Sequence, residues 1–202
     1  MEFATFALSQ LPPPPARILE VGGGPRGGIV AELCRAGYDA VGVDPRAPEG
    51  ERFRAVELAE VDEERFDAVV AERVFHHVHP LDAAVDKLAR MTSLVVLDEF
   101  AWDRIDAPSQ DWYERQHRAV AAAGGDPVGP ADLDEWRTKF RDLIPSDRLL
   151  AAFRRRFAER SYEPRPYFYR WLDGPVTEPL EQSLVDAGAI APIGFRWVGV
   201  RR

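Results

Sequence analysis

Three groups of side chains stand where they could do chemistry. Glu20 precedes by two residues the glycine run Gly22-Gly23-Gly24-Pro25-Arg26-Gly27-Gly28. Asp44 follows about 20 residues further on, where a ribose-binding acid belongs. His76, His77 and His79 lie between two acids, Glu72 and Glu99, and a fourth histidine is His117. Glycines after an apolar run let the backbone turn sharply and approach a ligand that a Cβ would keep away. The first turn of a following helix aims its unpaired N–H groups at whatever sits over the turn. That is a cofactor cradle. Gly22-x-Gly24-x-x-Gly27 matches the dinucleotide fingerprint, but Glu20 argues against a dinucleotide, because a carboxylate there would repel a pyrophosphate. It suits a ligand with positive charge and amine donors.

These residues need a scaffold. Arg17–Val21 reads as a strand, followed by a helix from about 27 to 36 and a second strand, Asp39–Asp44. Phe53–Val56 is a weak third strand, and Phe66–Ala71 a fourth, nearly continuous in apolar residues and so buried on both faces. Pro80–Arg90 is helical and Leu94–Leu97 is the fifth strand. Alternating strands and helices over residues 17–100 predict βαβ units in a parallel, doubly wound sheet. Before them, Phe3, Phe6, Ala7 and Leu11 mark a leading helix, ended by the stiff spacer Pro12–Pro15, so residues 1–16 form a preface.

Residues 101–157 change character. Trp112, Tyr113, Gln116 and Val120 mark one helix, Leu133, Trp136, Phe140 and Leu143 a second, and Leu149, Leu150, Phe153 and Phe157 a third. Together they read as a helical insertion with too little chain for a core of its own, expected to dock as a lid, with an oligomer contact such as a homodimer as its alternative use. The tail returns to α/β: a proline-interrupted edge strand over Arg160–Tyr169, a helix over Glu178–Ala187 with Leu180, Leu184 and Val185 inward, and a last strand over Ile193–Val200.

The chain has 202 residues, 46% hydrophobic and 30% charged, an ordinary globular composition. That length fits a single domain over residues 1–202. A net charge of −8 disfavours nucleic acid as a partner. The triplet Arg154-Arg155-Arg156 is flanked by Phe153 and Phe157 and reads as the wet face of an amphipathic helix. The single cysteine, Cys34, excludes an intramolecular disulfide. No membrane span and no signal pattern are evident, so the expected compartment is the cytoplasm. His-His-x-His without a placed carboxylate lacks the spacing of a zinc site, so no metal is expected.

On Glu20, Gly22 and Gly24 the sequence resembles class I S-adenosylmethionine-dependent methyltransferases, whose first motif is an acid-x-Gly-x-Gly turn. Arg26 stands where the third glycine of that motif usually falls, with Gly27 next. Phe66-Asp67-Ala68-Val69-Val70 followed by His76-His77-Val78 resembles the fourth motif of the small bacterial members. The resemblance implies a Rossmann-like methyltransferase fold, an α/β, mostly parallel seven-stranded sheet with the helical insertion between strands 5 and 6. It also implies S-adenosylmethionine as cofactor and a small-molecule acceptor methylated at oxygen, nitrogen or carbon. Cofactor-binding roles then fall to Glu20 for the amine end and for shaping the glycine turn, Gly22 and Gly24 for the turn itself, Asp44 for the ribose hydroxyls and Glu57 for the adenine side, with Glu72 ending the fourth strand beside them. His117, His76, His77 and Glu99 are the candidate bases, His117 ranked first because it would approach from the acceptor's side and His76 second. One of His76 and His77 is expected in the core and the other at the pocket. A cofactor-binding protein of this fold without transfer, and a NAD(P)-binding oxidoreductase, are the alternative readings.

Overall fold

In a computed structural model describing residues 2–202, the apolar runs pair as strands β1 (Arg17–Val21), β2 (Asp39–Val43), β3 (Phe53–Arg54), β4 (Ala68–Glu72) and β5 (Leu94–Phe100). With β6 (Phe157–Arg165) and β7 (Gly194–Arg201) they make a seven-stranded sheet in the order β3-β2-β1-β4-β5-β7-β6. The pairings from β3 to β5 are parallel, with Ile18 opposite both Ala40 and Ala68. Bonds from Ala101 N–H to Ile193 O and from Arg201 N–H to Ser93 O set β7 antiparallel to β5. The helices are α1 (Phe3–Gln10), α2 (Val30–Arg35), α3 (Leu81–Met91), α4 (Ala107–Ala122), α5 (Leu133–Lys139), α6 (Ser146–Arg156) and α7 (Glu178–Asp186). The sheet explains the mixed strand signal: β4 and β5 are central and almost wholly buried, and the proline-bearing β6 is at the edge. No helix among the described residues is long and apolar enough to cross a membrane.

The chain divides into two compact units. The first comprises the chain up to Glu99 with Asp147–Tyr162 and Arg196–Arg202; the second comprises Phe100–Ser146 and Glu163–Phe195. The core of the first packs Phe3, Phe6 and Ala7 of α1 with Val30 and Leu33 of α2 and with sheet residues such as Ile18, Val70 and Val198. The core of the second is aromatic: Phe100, Tyr113, Tyr167 and Phe168, with Trp112, Trp136 and Trp171 against them.

Three expectations need correcting. The third helix expected in the insertion, α6, belongs almost wholly to the sheet unit. Phe153 meets Phe75 edge-on at 5.0 Å and Trp197 at 5.5 Å, while Arg148 and Arg155 bond Asp82 of α3 and Arg156 bonds Asp86. That arginine run is thus a wet helix face with partners. The helix after the glycine run begins at Val30, three residues later than expected, because Gly27 and Gly28, at φ +79° and +53°, follow the short 3-10 turn Gly24–Arg26 in a left-handed conformation that a helix cannot include. Third, α7 buries Glu181 and leaves Leu180 49% exposed, because the Glu181 carboxylate accepts the backbone N–H groups of Tyr167, Phe168 and Tyr169 at 2.6–2.9 Å.

Candidate functional site

The glycine turn is built on a buried acid. Glu20 is 2% exposed, and both carboxylate oxygens accept the Ile29 N–H at 2.9 Å. Gly28 makes room for this: a Cβ there would lie 2.0 Å from Glu20 Oε1. Burial, opposed by the backbone hydrogen bond, pushes the Glu20 carboxyl up to about 7. Glu20 therefore holds the turn from beneath and does not line the cavity beside it, so the geometry does not bring it to a cofactor amine. The helix-start amide expected to face a ligand is occupied by that same carboxylate.

Asp44, just past the end of β2, is 8% exposed and lines a cavity of about 900 Å³. Its Oδ2 accepts the Gly24 N–H at 3.0 Å and its Oδ1 the Arg46 N–H at 2.7 Å. An ionised carboxylate has about four acceptor sites, so each oxygen keeps capacity toward the cavity. Gly24 has φ +62°, and a Cβ there would meet no protein atom within 4 Å. The cavity wall continues through Gly22, Glu57, Arg73, His77 and His79 to Lys87 of α3. Glu57 is exposed and caps the 3-10 turn Leu58–Glu60. A volume near the upper end of ordinary ligand pockets, a two-oxygen acceptor and a glycine backbone fit a nucleoside cofactor bearing ribose hydroxyls. Glu72 does not line the cavity; it stands 3.5 Å from Arg73 Nε, and its charge adds to the rise in Glu20.

Beyond β4 the two adjacent histidines diverge. His76 is 4% exposed, with Nδ1 2.7 Å from Oε2 of the fully buried Glu99. His77 is exposed at the cavity wall. Partial withdrawal from solvent, then the neighbouring His76, hold its pKa below the ordinary histidine value. His76 and Glu99, both expected as bases near the acceptor, instead engage each other away from the cavity. His117 lies in the second unit, where its Nε2 donates to Gly129 O at 3.2 Å. The structure thus brings Gly22, Asp44 and Glu57 to one cavity, with Gly24 bonded to Asp44 beside it, and leaves Glu20, Glu72, His76, Glu99 and His117 out of its wall. No group of three or more His, Cys, Asp or Glu able to hold a metal ion occurs among the described residues.

Sequence reasoning missed Gly28 and did not choose His77. The doubled glycine was the signal for the first, since a dinucleotide-like fingerprint needs only one there. For the second, the signal was an ionisable Glu99 ending an apolar strand, which must find a partner if buried.

A family model described as a methyltransferase domain matches residues 3–163. Among solved structures, an S-adenosylmethionine-dependent methyltransferase from Mesorhizobium loti aligns at 16% identity and TM-score 0.61, covering 98% of this chain and 96% of that one. Geranyl diphosphate C-methyltransferase from Streptomyces coelicolor A3(2), in complex with Mg2+, geranyl diphosphate and S-adenosyl-L-homocysteine, aligns at 14% identity and TM-score 0.63, covering 98% of this chain and 78% of that one. A TehB-like SAM-dependent methyltransferase from Corynebacterium glutamicum aligns at 14% identity and TM-score 0.56, covering 98% and 86%. At these identities the likeness is one of fold. No curated protein matches the chain. With the matched family model spanning the glycine turn, Asp44 and the histidine segment, the chain belongs to the methyltransferase domain family.

Proposed function

We propose that this enzyme transfers the methyl group of S-adenosylmethionine to an oxygen, nitrogen or carbon of a small-molecule acceptor, as one of the small bacterial methyltransferases with a His-His-Val motif. The observation that carries this reading is Asp44, anchored to the Gly24 and Arg46 amides at the wall of the cavity. Bound there, S-adenosylmethionine supplies a methyl group already activated on a sulfonium. The protein's own work is then positioning and the exclusion of water. Asp44 accepts the ribose hydroxyls, the Gly22–Gly24 backbone allows close approach, and Glu57 borders the adenine side. Glu20 contributes through the shape of the turn. A net charge of −8 favours a small acceptor over nucleic acid, and the second unit is the part proposed to select that acceptor.

Calorimetry tests the cofactor. S-adenosylmethionine should bind in the micromolar range, about 8 kcal/mol, and NAD should not bind; a preference for NAD would reverse the reading. Asp44→Ala should weaken S-adenosylhomocysteine binding by about 1–3 kcal/mol, the loss of hydrogen bonds to a charged acceptor. Unchanged affinity in a folded variant would reduce Asp44 to a turn residue. Hydrogen exchange over residues 104–150, with and without S-adenosylhomocysteine, tests the role of the second unit. Equal protection would assign it a fixed structural or oligomer-contact role.

A further inference from the structure

Glu99, the last residue but one of the buried strand β5, holds a segment rather than a ligand. Its Oε1 accepts the N–H groups of Val74 and Phe75 at 3.0 and 2.6 Å, and its Oε2 meets His76 Nδ1 at 2.7 Å. One residue earlier, Arg73 N–H donates to Asp98 O at 2.7 Å. Four consecutive residues, Arg73 to His76, are thus tied to the end of β5. Arg73 is the only non-glycine residue with positive φ among those described, at +55°. Such a conformation costs about 1–2 kcal/mol and persists where the surroundings impose it. What the tied segment delivers is His77, on the cavity wall with its ring 4.3 Å from that of His76.

The chemistry of the contact is directional. A carboxylate only accepts, so Glu99 makes Nδ1 the donor nitrogen of His76 and fixes that ring's orientation. His77 is faced by His76 and His79 from its own segment, by Arg46 from the loop after β2 and by Glu99 from β5. The first three disfavour a proton on His77 and Glu99 favours one. We propose that Glu99 and His76 are positioning residues that hold His77 at the cavity wall, where His77 takes the proton of the methyl acceptor. This rests on the methyltransferase reading above. In the transfer the acceptor's X–H bond gives way as its new X–CH3 bond forms from the sulfonium's S–CH3 bond. The sulfonium becomes a neutral thioether, and the proton passes to His77, which later yields it to water.

Two ligands that differ by one methyl group and one positive charge test this without knowledge of the acceptor. A protonated His77 near the reacting centre repels the S-adenosylmethionine sulfonium but not the neutral sulfur of S-adenosylhomocysteine. Calorimetry on the full chain from pH 5 to 8 should show the ratio of the two dissociation constants rising about tenfold as pH falls through the His77 midpoint, which lies below the usual 6.5. His77→Gln should flatten the ratio. Glu99→Gln keeps an oxygen for the two amides but removes the charge that favours His77 protonation, so the step should move to lower pH. His76→Gln leaves Glu99 on the amides and should move the step the other way. A flat ratio in the wild-type protein would overturn the role of His77, and a step unmoved by both other substitutions would overturn that of the pair. If the wild-type chain bound neither ligand, the cofactor reading itself would fail.

Discussion

Gly28 in the first unit and Gly174 in the second share a backbone conformation, φ +53° in both. Their surroundings are opposite. A Cβ at Gly28 would meet Glu20 Oε1 at 2.0 Å, whereas one at Gly174 would meet nothing within 4 Å. The first unit closes its backbone onto a buried carboxylate, and the glycine is there for space. In the second the glycine serves conformation alone, and the buried acid, Glu181, takes three consecutive amides of the segment that supplies Tyr167 and Phe168 to the aromatic core. Both units therefore fasten an irregular segment with a buried acid. Only the first places that device beside a cavity lined by Asp44 and His77.

The largest expected effect breaks that contrast directly. Gly28→Ala combines left-handed strain with a clash against a carboxylate that cannot move without abandoning Ile29 N–H, and should cost about 4 kcal/mol or more in urea denaturation. Binding of S-adenosylhomocysteine should fall with it. Gly174→Ala carries only the conformational cost, about 1–2 kcal/mol. Equal losses at the two sites would mean that Glu20 yields freely and does not brace the turn.

The same contrast marks what the sequence could reveal. The parallel strands, the leading helix and the glycine turn were legible because periodicity and glycine spacing report burial and backbone shape locally. The place of Asp44 beside the cavity was legible too, since it follows a strand at the expected distance from the turn. So was the part of Glu20 in shaping the turn, whose amide partner Ile29 lies only nine residues on. The roles of Glu99 and Glu181 were not, because each depends on which backbone amides fold back beside it, Val74 and Tyr167 respectively, and no local pattern encodes that. Likewise the boundary of the insertion was misplaced because α6 looks like its neighbours in sequence. What assigns it to the sheet unit is Asp82 and Asp86, some seventy residues earlier.

Buried acids in both units also give the protein an unusual response to pH. Desolvation raises Glu20 and Glu181 from 4.5 to about 7 each. Between those values the folded chain holds more protons than the unfolded chain, so stability falls as pH rises. The contribution is complete below about pH 4.5 and is lost through pH 7, about 3 kcal/mol for each group at 1.36 kcal/mol per unit. Urea midpoints measured from pH 5 to 8 should therefore decline. Glu181→Gln should remove roughly half of the slope and Glu20→Gln the other half. A slope that disappears with either change alone would show one acid to govern both units. Lowered histidine titration at His77 acts in the opposite direction, adding stability as pH rises.

The smallest effect tests how the second unit orients its last helix. Periodicity puts Leu180 inward on α7, but the three amides that bond Glu181 turn the helix so that Leu180 is 49% exposed. A leucine on such a surface contributes little, and Leu180→Ser should change stability by no more than about 0.5 kcal/mol. Leu133, fully buried in the same unit, should lose about 2–5 kcal/mol on substitution by alanine. A Leu180→Ser loss above about 2 kcal/mol would mean that another surface covers this face in solution. The loss would then depend on protein concentration, as it must when a second copy of the chain supplies the cover. A loss independent of concentration would instead show that α7 is rotated and that Glu181 no longer holds its three amides.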